Sequence, residues 1–220
     1  VKPGRIVPAT CDIVDIAGLV KGASQGEGLG NQFLGNIRET DAIIHVLRCF
    51  DNDNIVHVDG SVNPVRDKEI IDAELQLKDL ETVENRIKRV EKQAKVGGDK
   101  QAKLEYDVLS KYREVLLQGK SARTVTFETE DEQNAAKSLF LLTTKPVLYV
   151  CNVDDTAAAN GNPYVEAVRE AIKDEEAELL IISAQTEADI AELESHEEKQ
   201  MFLEDMGLKE SGCDRLIKAI

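Results

Sequence analysis

The sequence lacks the features that mark membrane, secreted and metal-binding proteins. No apolar run approaches the ~18 residues of a membrane helix, and the first residues are not a charged segment followed by an apolar one. The cysteines lie far apart, with neither a C-x-x-C pair nor a histidine at metal-ligand spacing. We therefore expect reduced, mostly buried thiols in a soluble cytoplasmic protein, at Cys11, Cys49, Cys151 and Cys213.

Positive charge is also scarce, since 27 Lys and Arg residues face 42 Asp and Glu residues and the formal net charge is -15. This balance argues against attraction of the whole surface to nucleic acid or to an anionic membrane. It hides an asymmetry, because residues 166–210 are strongly acidic whereas residues 86–103 hold seven basic residues and two acidic ones. The basic cluster consists of Arg86, Lys88, Arg89, Lys92, Lys95, Lys100 and Lys103.

The chain also lacks an initial methionine, and we interpret it as a piece of a longer protein. Its 220 residues suit one large domain or one domain with an insertion. An apolar content of 42% is enough for a sizeable core, so a soluble globular protein is expected.

Glycine is concentrated in residues 12–30, which read D-I-V-D-I-A-G-L-V-K-G-A-S-Q-G-E-G-L-G. The β-branched run around Asp15 predicts a buried strand over residues 11–16, and the glycines that follow suit a loop that approaches a ligand closely. Asp15 and Gly18 form the Asp-x-x-Gly arrangement of nucleotide-hydrolysing switch proteins. Ordinary strand-turn sequences carry the same four letters, so the motif needs the rest of the chain.

Strands and helices alternate along most of the remaining chain. Further buried strands are predicted over residues 42–47, 146–153 and 179–183, and helices over residues 30–39, 131–142, 163–175, 190–206 and 214–220. This alternation predicts an α/β fold with a mostly parallel sheet. His45 lies in a predicted strand, where a core histidine is expected, whereas the polar loop around His57 by itself predicts a surface histidine.

A helical hairpin interrupts the alternation. Apolar residues at coiled-coil spacing follow Pro64, a Gly-Gly turn comes at residues 97–98, and a second amphipathic helix runs to about Gly119. An arm of roughly 35 Å is expected if ~24 residues are helical. The basic cluster lies near its tip, and both a solvated face and a contact with RNA or an acidic protein remain open. The candidates for that contact are Lys88, Arg89, Lys92 and Lys95.

Three predicted strands end in turns that are typical of nucleotide switches. In those proteins an Asn and an acid three residues later hold the base, and a Ser-Ala turn supplies a backbone amide. Because parallel sheets bind ligands at the carboxyl ends of their strands, we expect the three turns to meet along one rim. The nucleotide-binding candidates are Asp15, Gly18, Asn152, Val153, Asp155, Ser183, Ala184 and Gln185.

The run D-I-A-G-L-V-K-G-A-S-Q-G-E-G-L-G-N-Q-F-L-G-N-I-R-E-T-D-A-I-I-H-V-L-R-C-F closely resembles the YchF subfamily of Obg-like ATPases, within the translation-factor class of P-loop NTPases. The resemblance extends through the arm to residues 214–217, essentially the whole chain. It implies a Rossmann-like three-layer P-loop fold, with residues 1–65 and 129–220 as the two parts of the core and residues 66–128 as an inserted coiled-coil hairpin. It also implies a hydrolytic switch that binds ATP and associates with the ribosome.

The resemblance also implies roles for individual residues. Asp15 would hold Mg²⁺ through water, and the amide of Gly18 would sense the γ-phosphate. Leu19 stands where many GTPases have the glutamine that orients the attacking water, and an apolar side chain cannot do this. The family is thought to use a histidine from the following loop, which makes His57 the implied catalytic residue.

The sequence departs from the family pattern in two respects. Val153 replaces the lysine of the GTPase motif Asn-Lys-x-Asp, and Asp155 keeps the aspartate of that motif where the YchF pattern has Glu. The whole-chain resemblance implies a preference for ATP, with GTP tolerated. The family's G-x-x-x-x-G-K-[ST] loop, its first strand and its C-terminal TGS domain are not found in these residues. We therefore expect no appreciable hydrolysis by this piece alone, and a sheet with unpaired edges.

Three hypotheses follow for the parent protein. The first is an ATP-hydrolysing switch of translation or stress regulation. The second is a binding module that docks on RNA, the ribosome or an acidic partner through the arm, with hydrolysis secondary. The third treats the arm as a dimerisation coiled coil.

Overall fold

The computed structural model describes residues 10–16, 30–55, 57, 60–96 and 98–219, and all that follows concerns those residues. They contain one parallel sheet of three strands in the order β1-β2-β3, which are β1 (Ile43–Arg48), β2 (Val147–Asn152) and β3 (Glu178–Ile182). Leu47 lies opposite Cys151, and Cys151 lies opposite Ile181. The predicted α/β fold with a parallel sheet is therefore confirmed.

Eight α-helices are described around this sheet. They are α1 (Gly30–Glu39), α2 (Pro64–Val96), α3 (Lys100–Leu117), α4 (Glu130–Lys137), α5 (Pro163–Ala171), α6 (Ala184–Glu192), α7 (His196–Asp205) and α8 (Gly212–Ala219). Short 3₁₀ helices occupy Ala122–Thr124, Leu142–Thr144 and Asp155–Ala157. Of the described helices, none has both the length and the apolar character that crossing a bilayer requires.

Three predicted helices are shorter in the structure than in the sequence interpretation, including the one predicted over residues 163–175, which ends at Ala171. The helix predicted over residues 131–142 ends at Lys137, and Phe140 then adopts a positive φ of 49°. The helix predicted over residues 190–206 is two helices, because Ser195 caps α7 as a capping box with Glu198. These predictions extended helices past residues at which capping or a change of backbone conformation ends them.

The strand predicted over residues 11–16 does not form, and this prediction is wrong. Ile13 and Val14 are 66% and 58% exposed, although the same residues in a central strand would be buried. A strand needs a neighbour for its backbone hydrogen bonds, and among the described residues none pairs with this segment. The outer edge of β1 is correspondingly open in the described sheet, with Val46 61% exposed.

The main core lies between the sheet and α5. Leu47, Tyr149, Cys151 and Val153 pack in one cluster with Val165 and Val168 of α5. A hydrogen bond to Cys151 and burial raise the pKa of the Cys49 thiol. These two cysteines are buried and reduced as predicted, whereas Cys11 and Cys213 are exposed.

The arm is an antiparallel pair of helices, α2 and α3. Arg86 and Glu84 of α2 form ion pairs with Glu105 and Arg113 of α3, which is the pairing that opposite chain directions give. Between them lies an apolar cluster that includes Val83, Val90, Leu109, Tyr112 and Leu116. With 33 residues, α2 is about 48 Å long, which exceeds the predicted arm. The predicted segment boundary at residues 65 and 66 falls within its first turn, and the division into three segments stays a prediction.

Buried polar contacts fix the base of α2 to the core. Lys68 is 6% exposed and forms ion pairs with Asp72 at 2.7 Å and with Glu175 at 2.6 Å. Burial alone would lower the pKa of Lys68, but the two carboxylates outweigh burial and raise it. The hydroxyl of Tyr149 donates to Glu175 at 2.9 Å, so this cluster joins α2 to β2.

Candidate functional site

Two of the three predicted turns meet at the carboxyl rim, by which we mean Arg48, Asn152 and Ile182 with the turns that follow them. The backbone N–H of Ala184 donates to Oδ1 of Asn152 at 3.0 Å, across the ends of neighbouring strands. Ser183 is 2% exposed, and its Oγ accepts from the N–H of Thr186 at 3.3 Å as the N-cap of α6. Asn152 and the Ser-Ala turn therefore form one connected unit.

The remaining candidates of these two turns differ in what they can offer a ligand. Val153 is 3% exposed and belongs to the sheet core, so only its backbone could face a ligand. Asp155 is exposed, and its Oδ1 accepts from the N–H of Thr156 at 3.0 Å. Gln185 is exposed, and its side-chain amide donates to Asp189 at 3.0 Å.

None of the hydrogen bonds or ion pairs of the described residues links Asp15 to this rim. Its carboxylate is exposed, and Ile16 beside it packs against the cluster that also receives Ile43, the first residue of β1. The rim lies at the other end of that strand, and the convergence of Asp15 with Asn152 stays a prediction. Gly18 and Leu19 lie outside the described residues.

His57 lies in the loop between β1 and α2 and is held by an aspartate that the sequence interpretation missed. Its Nε2 lies 2.9 Å from Oδ2 of Asp67 in the first turn of α2, and the side chains are 16% and 24% exposed. The surface position that the loop alone predicted is therefore only partly correct. An acid in the first turn of the helix after a histidine loop was the available signal.

Hydrogen bonds fix the start of the loop that leads from the rim to His57. The Arg48 guanidinium donates to three carbonyls of the following loop, those of Phe50 at 3.1 Å, Asn52 at 3.2 Å and Ile55 at 3.0 Å. The side chain of Asn162 donates to the carbonyl of Cys49 at 2.7 Å. Because this loop begins at the carboxyl end of β1 and leads to His57, its start is part of the rim.

A second histidine lies on the sheet beneath the base of α2. His45 stacks against Tyr149 with ring centroids 5.7 Å apart, in agreement with the predicted core position. Burial lowers the pKa of His45, while nearby Asp72, Glu175 and Asp67 oppose this and Lys68 adds to it. The imidazole is thereby kept neutral more readily than in water.

The basic residues near the arm tip differ in their partners. Lys88, Arg89 and Lys92 are exposed, and none of the ion pairs in the described part of the chain includes them. Lys95 is bound to Glu91 at 2.6 Å and lies 5.5 Å from the ring centre of Tyr106. The hydrogen bond to Glu91 raises the pKa of Lys95. Three of the four predicted partner-binding cations are therefore available to an anionic partner.

A magnesium ion would need ligands from outside the described side chains. No group of three or more His, Cys, Asp or Glu side chains within the described ranges is arranged to hold a metal. The predicted contact, Asp15, offers one exposed carboxylate, and Mg²⁺ usually combines one or two carboxylates with several waters and substrate phosphates, so this side chain would supply only part of the coordination.

Comparisons with known proteins cover the whole chain. A family model described as 50S ribosome-binding GTPase matches residues 2–96. A protein of Bacillus subtilis (strain 168), named ribosome-binding ATPase YchF, is 53% identical over 221 residues that include all of this chain and 60% of that protein. The protein of the same name from Escherichia coli O157:H7 is 52% identical over 219 residues, with 100% of this chain and 59% of that protein covered.

A solved structure supports the same grouping. The structure of the Schizosaccharomyces pombe YchF GTPase matches with a TM-score of 0.77 and 32% identity, over 91% of this chain and 55% of that one. The chain thus spans about 60% of the length of its curated relatives, and its α/β fold with a long helical insertion is that of a P-loop NTPase. Since about half of its residues are identical to those of bacterial YchF proteins from end to end, this chain belongs to the YchF subfamily of Obg-like ATPases.

Proposed function

We propose that this chain is part of a cytoplasmic regulatory switch that binds and hydrolyses a nucleotide, prefers ATP over GTP and acts at the ribosome. The observation that carries the proposal is the hydrogen bond between Asn152 and the amide of Ala184 at the carboxyl rim. Ligands of open parallel sheets bind at this place, and the bond fixes the two turns that would hold the base. Asp155 is exposed beside these turns, and its carboxylate would face the exocyclic groups of the base.

In this proposal His57 orients the water that attacks the γ-phosphate. An imidazole can accept or donate a hydrogen bond near neutral pH, which suits the task. Most of the catalysis would come from positioning and charge neutralisation, since phosphoryl transfer needs little covalent chemistry from the protein. Asp15 and Gly18 keep their proposed roles at the magnesium ion and the γ-phosphate, with the ion supplying charge neutralisation when bound.

Parallel binding titrations with ATP and GTP on the full-length protein test the nucleotide preference. We expect tighter binding of ATP, and binding of GTP that is tenfold tighter would overturn the preference. The Asp155→Glu variant restores the acid of the family pattern and should shift the preference further toward ATP. Glu128→Gln, an exposed residue outside the rim, is the control for a distant charge change and should leave both affinities unchanged.

The 220 residues by themselves should not hydrolyse ATP, because their sequence contains no G-x-x-x-x-G-K-[ST] loop to hold the phosphates. Purified chain of this length should show no magnesium-dependent release of phosphate above background. Measurable turnover would contradict this expectation.

We propose a second function for the arm, which is docking on ribosomal RNA. Support comes from three exposed cations that none of the described ion pairs includes, Lys88, Arg89 and Lys92. Lys92 follows Lys88 by four residues and Arg89 by three along α2. That spacing places them on one face of the helix, where phosphate groups could neutralise them together. The net charge of -15 leaves the rest of the surface unsuited to such contact.

A further inference from the structure

We propose that Asp67, in the first turn of α2, positions His57. In the proposal Asp67 sets the orientation of the imidazole and keeps the proton on Nε2. The inference rests on the proposed function, in which His57 orients the attacking water. Asp67 itself would touch neither the nucleotide nor the water.

The distance between the two side chains fits a hydrogen bond in which the imidazole is the donor. Nε2 of His57 lies 2.9 Å from Oδ2 of Asp67, within the range of an N–H···O bond. An ionised carboxylate can only accept hydrogen bonds, so Nε2 must be the donor. A carboxylate that holds one nitrogen of a catalytic histidine fixes its tautomer and ring direction, as in the triads of hydrolases.

Asp67 is well placed to hold the ring because its other oxygen is also bound. Oδ1 accepts from Nε of Arg66 at 3.2 Å and from Nη2 of the same guanidinium at 3.1 Å. Arg66 in turn donates from Nη2 to the carbonyl of Ser61 at 2.7 Å. The carboxylate is therefore clamped between a guanidinium and an imidazole, and it cannot turn away without breaking both contacts.

The helix itself keeps Asp67 in place. The N–H of Asp67 donates to the carbonyl of Asn63 at 3.0 Å, and the side chain of Asn63 accepts from the N–H of Arg66 at 3.1 Å, so the first turn of α2 is capped. The amino end of a helix favours negative charge, which suits a carboxylate there. The loop also closes on itself, since the N–H of Gly60 donates to the carbonyl of His57 at 3.0 Å and Gly60 has a φ of 76°.

The test compares Asp67→Ala, which removes the acceptor, with Asp67→Asn, which keeps one oxygen but loses the charge. Glu69→Gln is the matched control, because Glu69 is an exposed acid in the same part of α2. All variants are made in the full-length protein, and circular dichroism confirms that each is folded. Steady-state turnover of ATP gives kcat and KM, and ¹⁵N-edited spectra of the imidazole groups report the Nε2 proton, assigned with His57→Gln.

We expect a Nε2 proton signal of His57 that is protected from exchange with water in the wild type and in Glu69→Gln. It should be lost in Asp67→Ala and shifted in Asp67→Asn. We also expect kcat to fall by about tenfold to hundredfold in Asp67→Ala and by less in Asp67→Asn, with KM within about twofold of the wild type. Absence of the protected signal in the wild type would overturn the inference, as would unchanged kcat in both variants.

The failure of the proposed function has a different signature. If His57→Ala retains turnover, then His57 does not orient the water, whereas the protected proton still reports whether Asp67 holds the ring. If His57→Ala abolishes turnover while Asp67→Ala retains it, only the positioning role is overturned. A rise in KM with kcat unchanged in both Asp67 variants would mean that Asp67 merely shapes the loop, and would also overturn the inference.

Discussion

Oδ2 of Asp79 accepts hydrogen bonds from both the backbone N–H and the hydroxyl of Thr143, each at 2.7 Å. Its other oxygen accepts from the N–H of Leu142 at 2.8 Å, and the Asp79 side chain has no exposed surface. Burial raises the pKa of Asp79, and these hydrogen bonds oppose the rise. A carboxylate in the middle of α2 thus holds the 3₁₀ turn that leads into β2.

Replacing Asp79 by alanine should destabilise the protein. Two backbone amides and one hydroxyl would lose their acceptor inside the fold, and we expect the free energy of unfolding to fall by about 3 kcal/mol or more. Urea denaturation followed by circular dichroism measures this change. Asp107→Ala, at an exposed position on α3, should cost no more than about 0.5 kcal/mol. Equal effects of the two substitutions would contradict the role of Asp79.

His45 should make the stability depend on pH. Because burial lowers the pKa of His45 below its unfolded value of about 6.5, the unfolded chain takes up a proton that the folded chain refuses. The contribution of His45 to the free energy of unfolding is therefore fully present above about pH 6.5. It is lost as the pH falls toward the folded pKa, at up to about 1.4 kcal/mol per pH unit. The groups facing His45 are Asp72, Lys68, Glu175, Asp67 and Tyr149.

Urea denaturation at a series of pH values between about 7.5 and 5.5 tests this expectation. The wild type should lose more unfolding free energy across the range than His45→Gln, which cannot titrate. His196→Gln, at an exposed position that begins α7, should follow the wild type. Parallel curves for the wild type and His45→Gln would show that the site does not disfavour the charged ring.

Asn152 allows its structural and ligand-binding roles to be separated. Asn152→Asp keeps an oxygen for the N–H of Ala184 but loses the side-chain donor that the base would need, whereas Asn152→Ala loses both. We expect Asn152→Asp to remain within about 1 kcal/mol of wild-type stability while the full-length protein loses about tenfold or more in ATP affinity. Thermal or urea unfolding and nucleotide titration measure the two effects. Asn134→Asp, on the exposed side of α4, controls for the added charge.

Reversing the charges near the arm tip should separate partner binding from turnover. In the full-length protein, Lys88→Glu, Arg89→Glu and Lys92→Glu together should abolish ribosome binding in co-sedimentation while ATP turnover stays intact. His57→Ala should do the opposite. Lys95→Glu alone should have the smallest effect, because Glu91 already neutralises Lys95. Lys120→Glu with Lys209→Glu, both exposed and elsewhere, should leave binding unchanged, and equal losses from this pair would argue for a diffuse surface.

The sequence predicted well those features that depend on neighbours along the chain. Three strands, the hairpin and α1 follow from apolar spacing, and the ends of α2 and α3 follow from the glycines after them. Its failures concern partners that are distant in the sequence. Residues 11–16 have the composition of a strand but no described strand beside them. The acid Asp67 can be recognised in the first turn of α2, but the sequence does not identify His57 as its partner. The burial of Val153, in contrast, agrees with the buried strand predicted over residues 146–153.

The continuity of α2 has a mechanical consequence. One unbroken helix carries Asp67 at its base, Asp79 at its buried anchor and Lys92 near its far end. Beyond Asp79 it extends about 25 Å, so that a tilt of about 10° about that anchor would displace the far end by about 4 Å. A force on the far end of α2 would therefore also rotate its first turn slightly, and with it Asp67, which binds His57.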